Sequence, residues 1–138
     1  MNIKFYHCRI CGNVIIKLVD SGVVPECCNR EMEVLPIRNE EIGLERHLPI
    51  TSIVDECTMK VEVGEQPHPM TNEHSICWIC LETTIGFQFV TLSPNSKPCA
   101  MFCICRCTPV AVYEYCNLHG LWKTEISGIE NNNDCKCN

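Results

Sequence analysis

Residues 109–120 read PVAVYEYCNLHG, an apolar and aromatic run that ends in a cysteine, a histidine three positions later and a glycine. The run has the length and the β-branched and aromatic content of a strand, and the glycine permits a tight turn after it. A cysteine and a histidine at this spacing in one short loop can bind the same metal ion. The stretch therefore predicts a β protein that carries a pair of metal ligands at a strand end.

Comparable runs fill the chain from about residue 50 onward. MKVEV at 59–63 alternates strictly between apolar and polar residues, as a half-buried strand does. Further runs of strand length are HSICWICLETT (74–84), GFQFVTL (86–92) and CAMFCICRC (99–107). Turn signals lie between them at Gly64, Gly86 and PNSKP (94–98). This spacing predicts an antiparallel β-sandwich of roughly 90 residues, immunoglobulin-like in size.

Composition and charge restrict the class of protein. The chain has 138 residues, of which 46% are apolar and 20% charged, as in a globular protein. No run approaches the ~18 apolar residues of a membrane helix. MNIKFYHCRICG at the start has no apolar core of a signal peptide, so we expect a cytoplasmic protein. The net charge of −6 argues against nucleic acid, and it opposes an anionic substrate unless positive charge is concentrated locally.

The first 36 residues contain four cysteines and predict two or three short strands, too few for an independent core. Cys8 and Cys11 form a Cys-x-x-Cys motif followed by Gly12, and fifteen residues separate Cys11 from the adjacent pair Cys27 and Cys28. Two thiolate pairs make a tetrahedral sulfur site that suits either zinc or iron. Zinc ribbons usually repeat the Cys-x-x-Cys motif, so the adjacent pair is an unusual feature.

Four of the five histidines follow this segment, namely His47, His68, His74 and His119. A single histidine is more often a surface or core residue than a ligand. Here the local sequence favours ligation, because His68 lies between two prolines that stiffen the backbone and His74 comes just before a strand. His119 shares its loop with Cys116. The spacing of Cys116 and His119 predicts a second metal site, and the other three histidines are candidate ligands.

The sequence also resembles a known family. FYHCRICGNVI (5–15) and ECCNREMEVL (26–35) are similar to desulforedoxin, and ERHLPI, VGEQPHPM, EHSICWI, MFCI and EYCNLHGLWK are similar to the superoxide reductase domain of desulfoferrodoxins. The whole chain therefore resembles the two-iron desulfoferrodoxins. The resemblance implies a mainly β protein, with a small rubredoxin-like (desulforedoxin) metal domain over residues 1–37 and an immunoglobulin-like antiparallel β-sandwich over residues 38–138.

The resemblance also implies ligands and a reaction. Two iron ions per chain would be bound, the first by Cys8, Cys11, Cys27 and Cys28. The catalytic iron would be bound by four equatorial imidazoles and one axial thiolate, from His47, His68, His74, His119 and Cys116. Its sixth coordination position would be open. The activity would be superoxide reductase, the one-electron reduction of superoxide to hydrogen peroxide without dioxygen release. An electron donor such as rubredoxin and a homodimeric state are further implications.

The two residues that precede His47 match catalytic positions of the family. Glu45 matches the glutamate that occupies the sixth position of ferric iron, and Arg46 stands where the family usually has a lysine that attracts superoxide and organises a proton-delivering water. Arginine keeps the positive charge but cannot itself donate a proton near neutral pH. A second departure follows Cys28, where Asn29, Arg30 and Glu31 replace the usual glycine and proline. Asparagine tolerates positive φ, so we expect the turn to persist.

Nine of the fourteen cysteines have no role in this scheme: Cys57, Cys77, Cys80, Cys99, Cys103, Cys105, Cys107, Cys135 and Cys137. On a regular strand Cys103, Cys105 and Cys107 would point to one face, either as small core residues or, with Cys77 and Cys80, as a further metal or redox site. Two other functions stay open from sequence: a non-catalytic iron electron carrier and a zinc-binding interaction module.

Overall fold

The structure is a computed structural model that describes residues 3–38 and 44–129. The chain divides into two compact units, Met1–Pro36 and Ile37–Asn138. Strands dominate both units, which confirms the mainly β prediction. In the part of the chain that the structure describes, no helix is long and apolar enough to cross a membrane.

The smaller unit consists of short strands around a cluster of sulfur atoms. It has a three-stranded sheet in the order β2-β1-β5 and a two-stranded sheet of β3 and β4. Its small core contains Tyr6, Cys8 and Met32, with Cys27 packed against them. Its strands are β1 (Phe5–His7), β2 (Val14–Ile16), β3 (Glu26–Cys27), β4 (Arg30–Glu31) and β5 (Glu33–Val34).

The described residues of the larger unit form seven strands in two antiparallel sheets, in the orders β10-β7-β6 and β12-β11-β8-β9. A four-residue helix, α1 (Leu44–His47), comes before the first strand. The strands are β6 (Pro49–Asp55), β7 (Thr58–Val63), β8 (Ile76–Thr83), β9 (Gly86–Thr91), β10 (Cys99–Cys103), β11 (Pro109–Cys116) and β12 (Gly120–Glu125).

The core of the larger unit lies between its two sheets. Alternating residues of β7 and β10, such as Val61 and Phe102, meet Ile79 of β8 and Val112 of β11, and all four are at most 2% exposed. The alternation predicted for residues 59–63 is therefore confirmed. Cys116 belongs to the same cluster, so the last residue of β11 reaches the core from the edge of the sandwich.

Three segments differ from the sequence analysis. Neither β6 nor β12 was predicted as a separate strand, although both extend the sheets. The predicted strand over 99–107 ends at Cys103, because the chain then turns and Arg106 adopts a left-handed φ of 56°. Cys105 and Cys107 therefore do not continue one strand face with Cys103, and that expectation was wrong.

Candidate metal centres

Five segments of the larger unit bring four imidazoles and one thiol together. His47 ends α1, His68 follows β7 between Pro67 and Pro69, and His74 stands just before β8. Cys116 is the last residue of β11, and His119 lies in the turn that leads into β12. The ligand atoms of these five side chains all lie within 4.8 Å of one another. We call them the histidine group.

The four rings form a closed cycle. His47 contacts His68 and His119 at ring-centroid distances of 4.8 and 4.9 Å. His74 completes the cycle, 4.6 Å from His68 and 4.9 Å from His119. Neighbouring rings meet at interplanar angles of 67° to 82°, so each presents its edge to the next. The four imidazoles therefore surround one common point.

The spacing of the nitrogens fits a metal ion at that point. Metal–nitrogen bonds of about 2.0–2.1 Å at right angles hold neighbouring nitrogens about 3.0 Å apart. His47 Nε2 lies 3.1 Å from both His119 Nδ1 and His68 Nε2. His74 Nε2 is buried and has no hydrogen-bond partner. An ion would satisfy this nitrogen, whose burial without a partner is otherwise unfavourable.

The sulfur of Cys116 completes the donor set. Its Sγ lies 3.7 Å from His119 Nδ1, and the residue is fully buried. Burial raises the pKa of the Cys116 thiol, since the anion is poorly solvated there. A metal cation beside it would favour the thiolate. Four imidazoles and one thiolate are donors that suit iron, zinc or copper.

The electrostatics of the rings also favour ligation. Burial lowers the pKa of His68 to about 4, although the hydrogen bond with the Pro69 carbonyl acts to raise it. Burial lowers the pKa of His74 as well. These imidazoles are therefore neutral near pH 7, which is the form that binds metals. The Pro69 carbonyl oxygen accepts from His68 Nδ1 at 2.7 Å, which leaves Nε2 to face the cycle.

Two positioning contacts were missed by the sequence analysis. Asn117, between Cys116 and His119, donates from Nδ2 to the Glu73 carbonyl at 2.9 Å and accepts at Oδ1 from the Ser75 amide at 3.0 Å. It thereby joins the turn of His119 to the segment of His74. Gly64 donates to the Leu48 carbonyl at 3.0 Å, so it fixes the chain after His47. Both contacts join residues distant in sequence.

The two predicted catalytic residues are only partly defined. Arg46 is exposed, and its carbonyl oxygen lies against Gly64. The side chain of Glu45 lies outside the described residues. Their proposed roles remain predictions.

The smaller unit gathers the four cysteines of the first motif, which we call the cysteine group. The sulfurs of Cys8, Cys11, Cys27 and Cys28 lie within 4.8 Å of one another. Tetrahedral metal–sulfur bonds of about 2.3 Å would space the sulfurs about 3.8 Å apart. The Sγ atoms of Cys11 and Cys27 are 3.5 Å apart and those of Cys27 and Cys28 are 4.0 Å apart. The group therefore fits one tetrahedral ion.

The turn after the adjacent pair has the backbone conformation predicted for Asn29. Cys28 and Asn29 both have positive φ, 52° and 59°. The expectation that Asn29 adopts this conformation is therefore confirmed. The asparagine makes the turn without the family's glycine.

The thiols of the cysteine group titrate unequally. Backbone amides of Cys11 and Ile10 lower the pKa of the Cys8 thiol to about 7. The sulfurs of Cys11 and Cys8 raise the pKa of Cys28 to about 12. The four thiols cannot all be ionised at the same time unless a cation balances their charge. Metal binding to the cysteine group would therefore release protons.

The remaining cysteines that the structure describes form no further metal group. Within residues 3–38 and 44–129, only the histidine and cysteine groups gather three or more candidate ligand atoms. Cys77 and Cys80 are an odd number of positions apart on β8, so they point to opposite faces. Cys57 is disulfide-bonded, whereas Cys135 and Cys137 lie outside the described residues. The hypothesis of an extra metal site with Cys77 and Cys80 is therefore not supported.

Fold and sites together define a class: a β-sandwich with a site of four imidazoles and one thiol, and a separate unit with four converging thiols. A family model described as Desulfoferrodoxin matches residues 39–125. The chain belongs to the desulfoferrodoxin family.

Individual relatives agree with this assignment. A desulfoferrodoxin homolog of Methanothermobacter thermautotrophicus is 36% identical, over 86% of this chain and 95% of that protein. A desulfoferrodoxin of Desulfarculus baarsii is 35% identical, over 89% of this chain and 96% of that protein. The crystal structure of the superoxide reductase from Treponema pallidum superposes with a TM-score of 0.75 at 28% identity, covering 90% of this chain and 98% of that one.

Proposed function

We propose that this protein is a superoxide reductase, which reduces superoxide by one electron to hydrogen peroxide. The observation that carries the proposal is the closed cycle of four imidazoles with the Cys116 sulfur beside it. Relatives that bear the name superoxide reductase, such as that of Pyrococcus horikoshii at 36% identity, support it. The balanced reaction takes one superoxide, one electron and two protons to one hydrogen peroxide.

In this proposal the histidine group binds one iron ion through His47, His68, His74, His119 and Cys116, and the cysteine group binds a second. Iron held by these five donors would supply the electron that superoxide takes up. The buried thiolate of Cys116 would be the donor that adds electron density to the site, and this would favour electron transfer. The neutral imidazoles add no charge that would have to be balanced in the buried site.

Arg46 provides the local positive charge that the substrate requires. The chain has a net charge of −6, so its overall field repels an anion such as superoxide. The exposed Arg46 directly precedes the ligand His47. We assign to Arg46 the attraction of superoxide and the orientation of a proton-delivering water, and to Glu45 the displacement of product.

The wider setting belongs to the same proposal. Residues 1–37 and 38–138 act as two domains, each with its own iron. An electron donor such as rubredoxin supplies the electron, the active form is a homodimer, and the protein works in the cytoplasm.

The test measures stoichiometry on protein of known metal content. Iron and zinc are quantified first, because sulfur-ligated ferric iron is coloured and zinc is not. Superoxide is then supplied anaerobically with a reductant, while peroxide and dioxygen are both measured. We expect one peroxide for each superoxide consumed and no dioxygen. Evolution of dioxygen would indicate dismutation, and absence of turnover in the iron-loaded protein would indicate an electron carrier.

A further inference from the structure

A cleft of about 510 Å³ opens on the sheet formed by β10, β7 and β6, outside both metal-type groups. Its volume falls within the range of about 300–1,000 Å³ that is usual for small-molecule sites. The lining combines an apolar side chain, four charged side chains and one thiol: Ile50, Lys60, Glu62, Glu65, Lys97 and Cys99. We call it the β7 cleft.

The sheet register explains why a thiol lies in the β7 cleft. Val61 and Val63 of β7 face the core, so the alternate residues Lys60 and Glu62 face outward. Cys99 of β10 is paired directly with Glu62, and opposite residues of antiparallel strands point to the same face. Cys99 is half-buried and forms no disulfide. The cleft therefore presents a nucleophilic sulfur that a bound molecule can reach.

An ion pair lies beside this thiol. Nζ of Lys60 is 2.9 Å from Oε1 of Glu62. The Glu62 carboxylate raises the pKa of Lys60, and the sulfur of Cys99 acts in the same direction. The ammonium of Lys60 is therefore near both groups, and the charge of Glu62 is already balanced within the cleft.

Two further charges of the cleft are available to a ligand. Lys97 lies in the turn before β10 and Glu65 in the segment after β7, and both are exposed. Within residues 3–38 and 44–129, neither of them forms an ion pair. The Val63 amide donates to the Pro98 carbonyl at 2.9 Å and so joins the end of β7 to the turn before β10. One cation and one carboxylate therefore border the same cleft.

These charges select the class of ligand. A molecule with one carboxylate and one ammonium would complement Lys97 and Glu65, whereas an anion or a cation alone would leave one of them unpaired. Ile50, which is 40% exposed, offers apolar contact to the carbon atoms of such a molecule. The thiol of Cys99 adds a group that reacts with sulfur. An amino-acid-type disulfide has all of these features.

We propose that the β7 cleft binds a zwitterionic low-molecular-weight disulfide of the cystine type, and that Cys99 exchanges with it to form a mixed disulfide. The Cys99 sulfur forms a bond to one sulfur of the bound molecule while the S–S bond of that molecule breaks. The other half leaves as a thiolate and takes up the proton that Cys99 released. Cys99 is oxidised and the departing half is reduced, so the bound disulfide is the only oxidant required.

The mixed disulfide would act as a reversible cap. Capped thiols are protected from irreversible oxidation to sulfinic and sulfonic acids, and a second thiol can restore them. This chemistry goes beyond the proposed superoxide reaction and does not depend on it.

The test compares three disulfides on the full-length, metal-loaded protein under anaerobic conditions. Cystine carries both charges, cystamine only ammonium groups and dithiodipropionate only carboxylates. Samples are quenched with acid, alkylated and analysed by mass spectrometry of non-reduced peptides, which measures the mixed disulfide at Cys99. Each rate is divided by the rate of the same reagent with urea-unfolded protein, because this ratio removes intrinsic reactivity. We expect the ratio for cystine to exceed the other two by about tenfold, the effect of one charged contact.

Variants assign the two charges. Lys97→Gln should lower the ratio for cystine to about that for cystamine, and Glu65→Gln should lower it to about that for dithiodipropionate. Lys4→Gln is the matched control, because it removes the same charge from an exposed lysine outside the cleft, and it should change nothing. The proposal is overturned if cystine leaves Cys99 of the folded protein unmodified or if the three ratios are equal. It is also overturned if Lys97→Gln behaves like Lys4→Gln.

Discussion

The indole of Trp122 lies flat against the imidazole of His47, with ring centroids 4.7 Å apart and an interplanar angle of 12°. Trp122 is 2% exposed, so it presents a rigid apolar wall to one ligand of the histidine group. His47 belongs to a four-residue helix that cannot hold a side chain firmly by itself. The stacked ring on β12 therefore fixes this imidazole.

Replacing Trp122 should weaken metal binding and stability together. In Trp122→Leu the stacking is lost and a large buried volume is emptied, so we expect the free energy of unfolding to fall by about 3 kcal/mol. Trp122→Phe keeps an aromatic face and should retain most of the metal. Iron retention against a chelator and urea unfolding measure the two effects. Equal retention in both variants would show that stacking does not position His47.

Replacing Asn117 should weaken metal binding by the histidine group, although this residue is exposed. Asn117→Ala removes two hydrogen bonds that join the His119 turn to the His74 segment, a change of about 1–2 kcal/mol. We expect faster loss of metal from the histidine group to a chelator, with the absorption of the cysteine group unchanged. Leu118→Ala, an exposed neighbour in the same turn, is the control. The prediction is wrong if both variants release metal at the unmodified rate.

Gly64 is required where two backbone segments meet. A Cβ atom at this position would lie 2.6 Å from the carbonyl oxygens of Arg46 and Gln66, and φ is +82°. Gly64→Ala should therefore displace the segment that holds His47 and destabilise the protein by about 2–3 kcal/mol or more. Gly128→Ala is a matched control, because φ is +77° there and the added atom meets nothing within 4 Å. Thermal unfolding of the two variants separates the clash from the conformational strain.

Cys80 should give the protein an alkaline dependence of stability. Burial raises the pKa of this thiol from 9.0 to about 12. Above about pH 9 the folded state therefore keeps the proton while the unfolded chain loses it. The contribution of Cys80 to the free energy of unfolding is complete below about pH 9 and declines as the pH rises to about 12. The stability difference between unmodified protein and Cys80→Ala should shrink by about 1.4 kcal/mol per pH unit above pH 9. Denaturant unfolding at pH 8 and pH 10.5 tests this, and a constant difference would contradict it.

Arg46→Lys tests the proposed role of Arg46 in attracting superoxide and delivering a proton. Both side chains are cationic, so the second-order reaction with superoxide should change less than threefold (about 0.6 kcal/mol). Lysine can donate a proton near neutral pH more readily than arginine, so the later, proton-dependent phase should be altered. Pulse radiolysis resolves the two phases. If both were unchanged, Arg46 would have no part in proton delivery.

Local pattern was sufficient to predict most strands, the four-cysteine set and the Cys116–His119 pair. The alternation of residues 59–63 and the Cys-x-x-His spacing before Gly120 are properties of consecutive residues, and the structure reproduces the first and brings the second together with three other histidines. The resemblance supplied which histidines to group.

Other features could not be predicted because they depend on distant contacts. Asn117 bonds residues 42 and 44 positions away, and nothing in its neighbours indicates that role. The clash at Gly64 involves Arg46, which lies in a segment without strand pattern. The end of β10 at Cys103 depends on the turn at Arg106, and an arginine gives no local signal for left-handed backbone.

The dispersed origin of the histidine group has a consequence for biosynthesis. Its donors come from α1, the loop after β7, the start of β8, the end of β11 and the following turn, so the last donor leaves the ribosome only after residue 119 has been translated. The cysteine group, in contrast, has all its sulfurs by residue 28. A nascent chain can therefore acquire its first metal early, whereas the second can enter only a finished sandwich. Occupancy of the histidine group would thus report whether an individual molecule has completed folding.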